Sequence, residues 1–121
     1  MSVLIVDDSR TIVHLISDLL RKIGFKDIDG AHGGATALSM MKIKRYNLVI
    51  SDWHMEPMNG LDLLRQVRSD SGLGKIPFLF VTTESRKKNV VDAVDAGANN
   101  FIVKPFDILS LKAKIETIFA G

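Results

Sequence analysis

Val3-Leu4-Ile5-Val6-Asp7-Asp8-Ser9 is an unbroken apolar run that stops on two carboxylates and a hydroxyl. Four consecutive apolar residues with no polar alternation suit a strand buried on both faces, as in a parallel sheet covered by helices. The pattern recurs along the chain. Leu48-Val49-Ile50 runs into Ser51-Asp52, Phe78-Leu79-Phe80-Val81 into Thr82-Thr83-Glu84, and Phe101-Ile102-Val103 into Lys104-Pro105. A weaker strand candidate lies between Lys26 and Gly30.

Helical spacing fills the gaps. Ile12, Leu15, Ile16, Leu19 and Ile23 recur on a helical period, and Gly24 is a natural stop. Ala37, Leu38 and Met41 mark a second helix, Leu61, Leu64 and Val67 a third, and Val90 and Val94 a fourth ending near Gly97. Ile108, Leu111, Ile115 and Ile118 mark a fifth, with Asp107 as its N-cap. Five strand–helix units in alternation predict an α/β fold, a doubly wound parallel sheet with helices on both faces. Right-handed crossovers restrict the topology, and the flavodoxin-like (βα)5 order 2-1-3-4-5 is the leading choice.

The chain has 121 residues, 46% hydrophobic and 25% charged, which suits a single domain over residues 1–121. It contains no cysteine, which excludes disulfides, thiolate zinc sites and thiol nucleophiles. No apolar run approaches the ~20 residues that span a bilayer. The N-terminus lacks the basic start and longer apolar stretch of a signal peptide. A cytoplasmic protein with no membrane contact is expected. The formal net charge is +2, and the only tight basic run is Arg86-Lys87-Lys88, best read as a solvated helix start. That is too little for a basic nucleic-acid face, so no direct nucleic-acid binding is expected.

Strands of a parallel sheet end on one edge, where open α/β sheets bind ligands. In the order 2-1-3-4-5 that edge gathers Asp7, Asp8, Asp52, Thr82 and Lys104: three carboxylates, one hydroxyl and one ammonium. Clustered carboxylates repel one another, and a bound cation relieves the repulsion. With no cysteine or paired histidines, the donor set favours Mg²⁺ or Mn²⁺ over zinc. Lysine and hydroxyl beside such an ion suit phosphate oxygens, and a carboxylate there can act as nucleophile to form an aspartyl phosphate.

At these residues the chain resembles the response-regulator receiver domains of two-component signalling, particularly the single-domain, CheY-like chemotaxis regulators. The resemblance rests on Val6-Asp7-Asp8-Ser9, Ser51-Asp52-Trp53-His54-Met55, Met58-Asn59-Gly60, Val81-Thr82-Thr83-Glu84 and Val103-Lys104-Pro105-Phe106, in that order over the whole chain. It implies that Asp52 is the phosphoacceptor. Asp8 and Asp52 would bind Mg²⁺ directly with the backbone carbonyl of His54, and Asp7 through water or more weakly. Lys104 would contact the phosphoryl oxygens, and Thr82 would move to hydrogen-bond them. Phe101 takes the aromatic switch position, here without a hydroxyl. A cis Lys104–Pro105 peptide is implied by the resemblance alone.

Three features depart from the family pattern. Its usual Met-Pro-x-Met-Asp-Gly loop is here Met55-Glu56-Pro57-Met58-Asn59-Gly60, with the proline displaced by one place. Thr83 stands where a smaller residue is common. His54 and Glu84, two places after Asp52 and Thr82, lie where the family's attacking water passes, and are expected to tune dephosphorylation. The expected activity is self-phosphorylation and self-dephosphorylation only, not turnover of a separate substrate.

With no further domain expected after Gly121, the output would be protein contact. By resemblance the output face is the fourth helix, fifth strand and fifth helix, including Lys87, Lys88, Val91, Phe101, Lys112 and Lys114; its lysines predict an acidic partner. The donor would be a histidine kinase or phosphotransfer domain, and the chain a monomer. Rival readings are a flavin carrier, an aspartyl phosphohydrolase and an inert pseudo-receiver, the last disfavoured by the complete set of Asp7, Asp8, Asp52, Thr82 and Lys104. The first is disfavoured by carboxylates where a phosphate loop belongs, the second by His54 where a second carboxylate is needed.

Overall fold

The computed structural model describes residues 1–83 and 87–120, with Lys87 and Lys88 described in backbone alone. Ten elements alternate: β1 (Ser2–Val6), α1 (Arg10–Ile23), β2 (Asp27–Ala31), α2 (Gly34–Ile43), β3 (Leu48–Asp52), α3 (Gly60–Ser69), β4 (Phe78–Thr82), α4 (Lys87–Asp95), β5 (Asn100–Val103) and α5 (Ile108–Ala120). The strands form one sheet in the order β2-β1-β3-β4-β5, every pair parallel.

The two-residue period of a strand divides the apolar runs between two cores. Leu4, Val6, Val49, Phe78 and Phe80 face Ala37, Met41, Leu63, Val67 and Ala93 of α2, α3 and α4. Val3, Ile5, Ile50, Leu79 and Val81 face Val13, Ile16, Leu20, Leu111 and Ile115 of α1 and α5. β1, β3 and β4 are buried almost throughout, as continuous apolar runs require. β5 differs: Phe101 and Val103 are half-buried, because an edge strand has a neighbour on one side only.

Helix ends follow local chemistry. The Ser9 hydroxyl accepts from Ile12 N at 3.3 Å and opens α1. Gly24, at φ 125°, closes it by donating to the carbonyls of Leu20 and Arg21, a conformation other residues resist. Asp107 caps α5, its Oδ1 accepting from Ser110 N at 2.8 Å. The sequence spacing chose some core positions wrongly. Leu15 is 54% exposed and Val94 61% exposed, while Val13 and Leu20, beside the expected Ile16, on α1 and Ala93 on α4 make the buried contacts. Periodicity fixes a stripe, but the sheet and the neighbouring helices select the part of it that is covered.

Candidate functional site

Of the three strands in the middle of the sheet, β3 and β4 end on a polar residue and β1 is followed by one, all at the same edge. Asp52 is the last residue of β3 and Thr82 the last of β4, two residues and one residue further, respectively, than the apolar runs alone indicate. Both are buried. Asp7 follows β1, its N–H donating to Ala31 O at 3.1 Å. Lys104 follows β5, its N–H donating to Thr82 O at 2.7 Å. The Lys104–Pro105 peptide is cis.

The side chains converge. Carboxylate oxygens of Asp7, Asp8 and Asp52 all lie within 4.8 Å of one another. Lys104 Nζ stands 3.4 Å from Asp52 Oδ1 and 3.6 Å from Asp7 Oδ2. Asp52 Oδ1 also accepts from Trp53 N at 2.8 Å, which holds the carboxylate against its own loop. Asp7 is 2% exposed, whereas Asp8 is exposed. Asp7 Oδ1 accepts from Ser9 N at 2.8 Å, but Oδ2 is buried without a hydrogen-bond partner. Burial first, then the negative charge of Asp52 and Asp8, raises the Asp7 carboxyl above its ordinary value, against the opposing pull of Ser9 N–H and Lys104.

An orphaned, buried carboxylate oxygen beside two further carboxylates fits a hard divalent cation, whose positive charge and oxygen preference meet both needs. The protein residues fit Mg²⁺: Asp7, Asp8 and Asp52 supply oxygen donors, and His54 stands two residues beyond Asp52 in the same loop.

Gly60 shapes that loop. Its N–H donates to Trp53 O at 2.8 Å, and a Cβ there would lie 2.2 Å from Asp52 O. Only glycine allows the start of α3 to approach the end of β3 so closely. The displaced proline lies in this loop, where Glu56–Pro57 is a second cis peptide. Thr83, beside the site, is exposed.

Phe101 pairs in register with Phe80 and is half-buried in the α4 core. Phe80 in turn lies 4.9 Å, centroid to centroid, from Trp53. A void of only about 10 Å³ separates Trp53, Phe80, Thr82, Val90, Ala93 and Phe101, so the site and the α4–β5 region are in packed contact. Lys114 Nζ sits 5.4 Å above the Phe101 ring. Val91 and Lys112 of the expected output face are exposed, and Lys112 pairs with Glu116 at 4.0 Å. Glu84, and the side chains of Lys87 and Lys88, lie outside the described residues.

Sequence reasoning missed some contacts around the site. His32 is exposed, but its Nδ1 lies 3.4 Å from Asp7 O. Arg68 holds two loops: it donates to Gly74 O and Ile76 O on one side, and to Gly97 O and Asn99 Oδ1 on the other. Neither has a local signature, because each contact spans distant segments.

The family model described as the response regulator receiver domain matches residues 3–116. Chemotaxis protein CheY of Pseudomonas aeruginosa is 44% identical over 119 residues, covering 98% of this chain and 96% of that protein. Chemotaxis protein CheY-3 of Vibrio cholerae is 41% identical over 119 residues, covering 98% and 92% respectively. The solved structure of Vibrio cholerae chemotaxis protein CheY4 superposes with a TM-score of 0.91 at 30% identity, covering 98% of each chain. A putative response regulator from Chloroflexus aurantiacus gives 0.92 at 27% identity, covering 99% of this chain and 98% of the other.

Proposed function

The chain belongs to the response regulator receiver domain family and is a phosphorylation-dependent, CheY-like signalling protein; from that premise we propose that Asp52 is its phosphoacceptor. The observation that carries this reading is Lys104 Nζ lying between the carboxylates of Asp52 and Asp7, at 3.4 and 3.6 Å. An ammonium there can accompany a phosphoryl group onto Asp52.

In the proposed reaction an Asp52 carboxylate oxygen attacks phosphorus. The bond from phosphorus to its donor breaks, with its electron pair staying on the donor. For a phosphohistidine of a kinase or phosphotransfer domain, that donor is an imidazole nitrogen, which then takes a proton. Asp7, Asp8, Asp52 and the His54 carbonyl would hold Mg²⁺, or Mn²⁺ in its place, which supplies charge neutralisation at the phosphoryl oxygens. Lys104 holds one phosphoryl oxygen and Thr82 donates its hydroxyl to another. Water later attacks the same phosphorus, the acyl phosphate bond breaks, and inorganic phosphate leaves; His54 and Glu84 tune this step.

A phosphoryl group adds roughly 1.5–2 negative charges. The new charge at the end of β3 biases a pre-existing equilibrium between two states. Tight packing from Trp53 through Phe80 to Phe101 supports transmission to the face of α4, β5 and α5, where a downstream protein would bind one monomer. No described helix is long and apolar enough to cross a membrane, and the proposed setting is cytoplasmic, without direct contact with nucleic acid.

Incubation with acetyl phosphate and Mg²⁺, followed by intact mass, tests the reading. A labile gain of one phosphoryl group is expected, lost in Asp52→Asn and in chelator. A gain that persists in Asp52→Asn would assign the acceptor elsewhere.

A further inference from the structure

At the N-terminal edge of the sheet, opposite the carboxylates, lies an open groove of about 750 Å³. The α2–β3 segment, the α3–β4 segment and Phe119 of α5 line it. Its apolar part includes two side chains that a folded chain normally covers: Ile43 is 87% exposed and Phe119 is 41% exposed. Its charged part is cationic, with Lys42, Lys44, Arg45 and Lys75 against Asp70 alone. Lys44 is already held by Asp27 and Asp29 at 2.7 and 2.9 Å. Among the described residues, Lys42, Arg45 and Lys75 have no carboxylate within 4.0 Å. Asp70 is committed to its own turn, its Oδ1 accepting from Gly72 N at 2.8 Å.

We propose that this groove docks an acidic, amphipathic polypeptide segment, with its carboxylates on Lys42, Arg45 and Lys75 and its apolar side chains on Ile43 and Phe119. Charge complementarity selects the acid, and the exposed apolar pair selects a chain that carries hydrophobic residues as well. A compact phosphate is a poorer match. The helices α2, α3 and α5 all end at this edge, and helix C-termini carry partial negative charge that opposes a concentrated anion. The cations also come from two separate segments, which suits carboxylates spread along a chain. A concave surface suits a segment better than a bilayer, which meets amphipathic helices lying on it. Because the groove lies at the far edge from Asp52, docking is independent of phosphorylation and serves as a constitutive tether.

The test uses the full ¹⁵N-labelled chain and a model helix with leucines on one face and glutamates on the other. A counterpart with glutamine for glutamate is the control. Saturable amide shifts confined to residues 41–47, 70–77 and the end of α5 around Phe119 are expected, unchanged in Asp52→Asn. The double variant Lys42→Glu, Lys75→Glu should weaken binding about tenfold or more, while melting temperature and labelling by acetyl phosphate stay as in the parent. Equal affinity for the glutamine peptide, shifts elsewhere or no saturation would overturn the proposal. So would sedimentation with anionic phospholipid vesicles that depends on Lys42 and Lys75 while the peptide leaves the spectrum unchanged, an outcome that assigns the surface to a membrane.

Discussion

Replacing Asp7 by asparagine should stabilise the metal-free protein. Asn keeps the Oδ1 acceptor that binds Ser9 N and replaces only Oδ2, which is buried without a hydrogen-bond partner and has the Lys104 ammonium 3.6 Å away. At an effective dielectric of ~20, a carboxylate at the 4.8 Å outer limit of the cluster repels Asp7 by roughly 3–4 kcal/mol, and Lys104 at 3.6 Å attracts it by roughly 4–5 kcal/mol. Asp8 is exposed, so its repulsion is screened to about 1 kcal/mol. These charge terms nearly cancel. What remains is the cost of burying an unsatisfied charged oxygen, about 1–3 kcal/mol, in keeping with burial as the leading cause of the raised Asp7 carboxyl. A gain of about 2 kcal/mol should raise the melting temperature by roughly 8 °C for a chain of this size.

Thermal unfolding followed by circular dichroism, in chelator at neutral pH, measures the gap. Its sign with pH is fixed. A carboxyl whose folded value is raised contributes stability that is present below 3.8 and lost as pH rises through the raised value. Wild type therefore falls behind the variant across that window, and the gap closes as pH falls toward 3.8. Mg²⁺ should raise the wild type more than the variant, because binding to the folded state adds stability. A variant that melts at or below wild type in chelator, or a gap indifferent to pH, would refute the reasoning.

Gly60→Ala should cost more than about 2 kcal/mol and abolish labelling by acetyl phosphate, since its Cβ meets backbone at 2.2 Å; Gly34→Ala meets only the side chain of Met58, from Sδ to Cβ, and should cost less, about 1–2 kcal/mol, both read from urea denaturation. Arg68→Ala strips donors from two loops at once and should lower the melting temperature by roughly 10 °C, about 3 kcal/mol, with no rescue by lysine, whose single ammonium cannot serve both. Tyr46→Phe removes the 2.6 Å hydrogen bond to Asp29, whose carboxyl is held below its ordinary value first by Tyr46 and then by Lys44. After allowance for solvent screening the loss is about 1 kcal/mol. It is present above 3.8 and disappears as pH falls through the depressed value, which paired denaturation curves across that range would detect.

The strand runs, the strand order and the residues on the C-terminal edge were legible in the chain itself, because a parallel sheet forces every strand to end on one side. Val3 to Val6 and Phe78 to Val81 needed no partner to declare themselves buried on both faces. Local capping was equally legible at Gly24 and Asp107. The sequence could not tell which of Asp7 and Asp8 is buried, since alternation says only that they point opposite ways, and the covering elements decide which is enclosed. Nor could it select Val13 and Ala93 over Leu15 and Val94. The clamp of Arg68 on Gly97 and Ile76, and the gathering of Lys42, Arg45 and Lys75 around one groove, join segments far apart along the chain. Such contacts depend on how the helices pack against the sheet, a property of the three-dimensional arrangement that no local stretch of residues encodes.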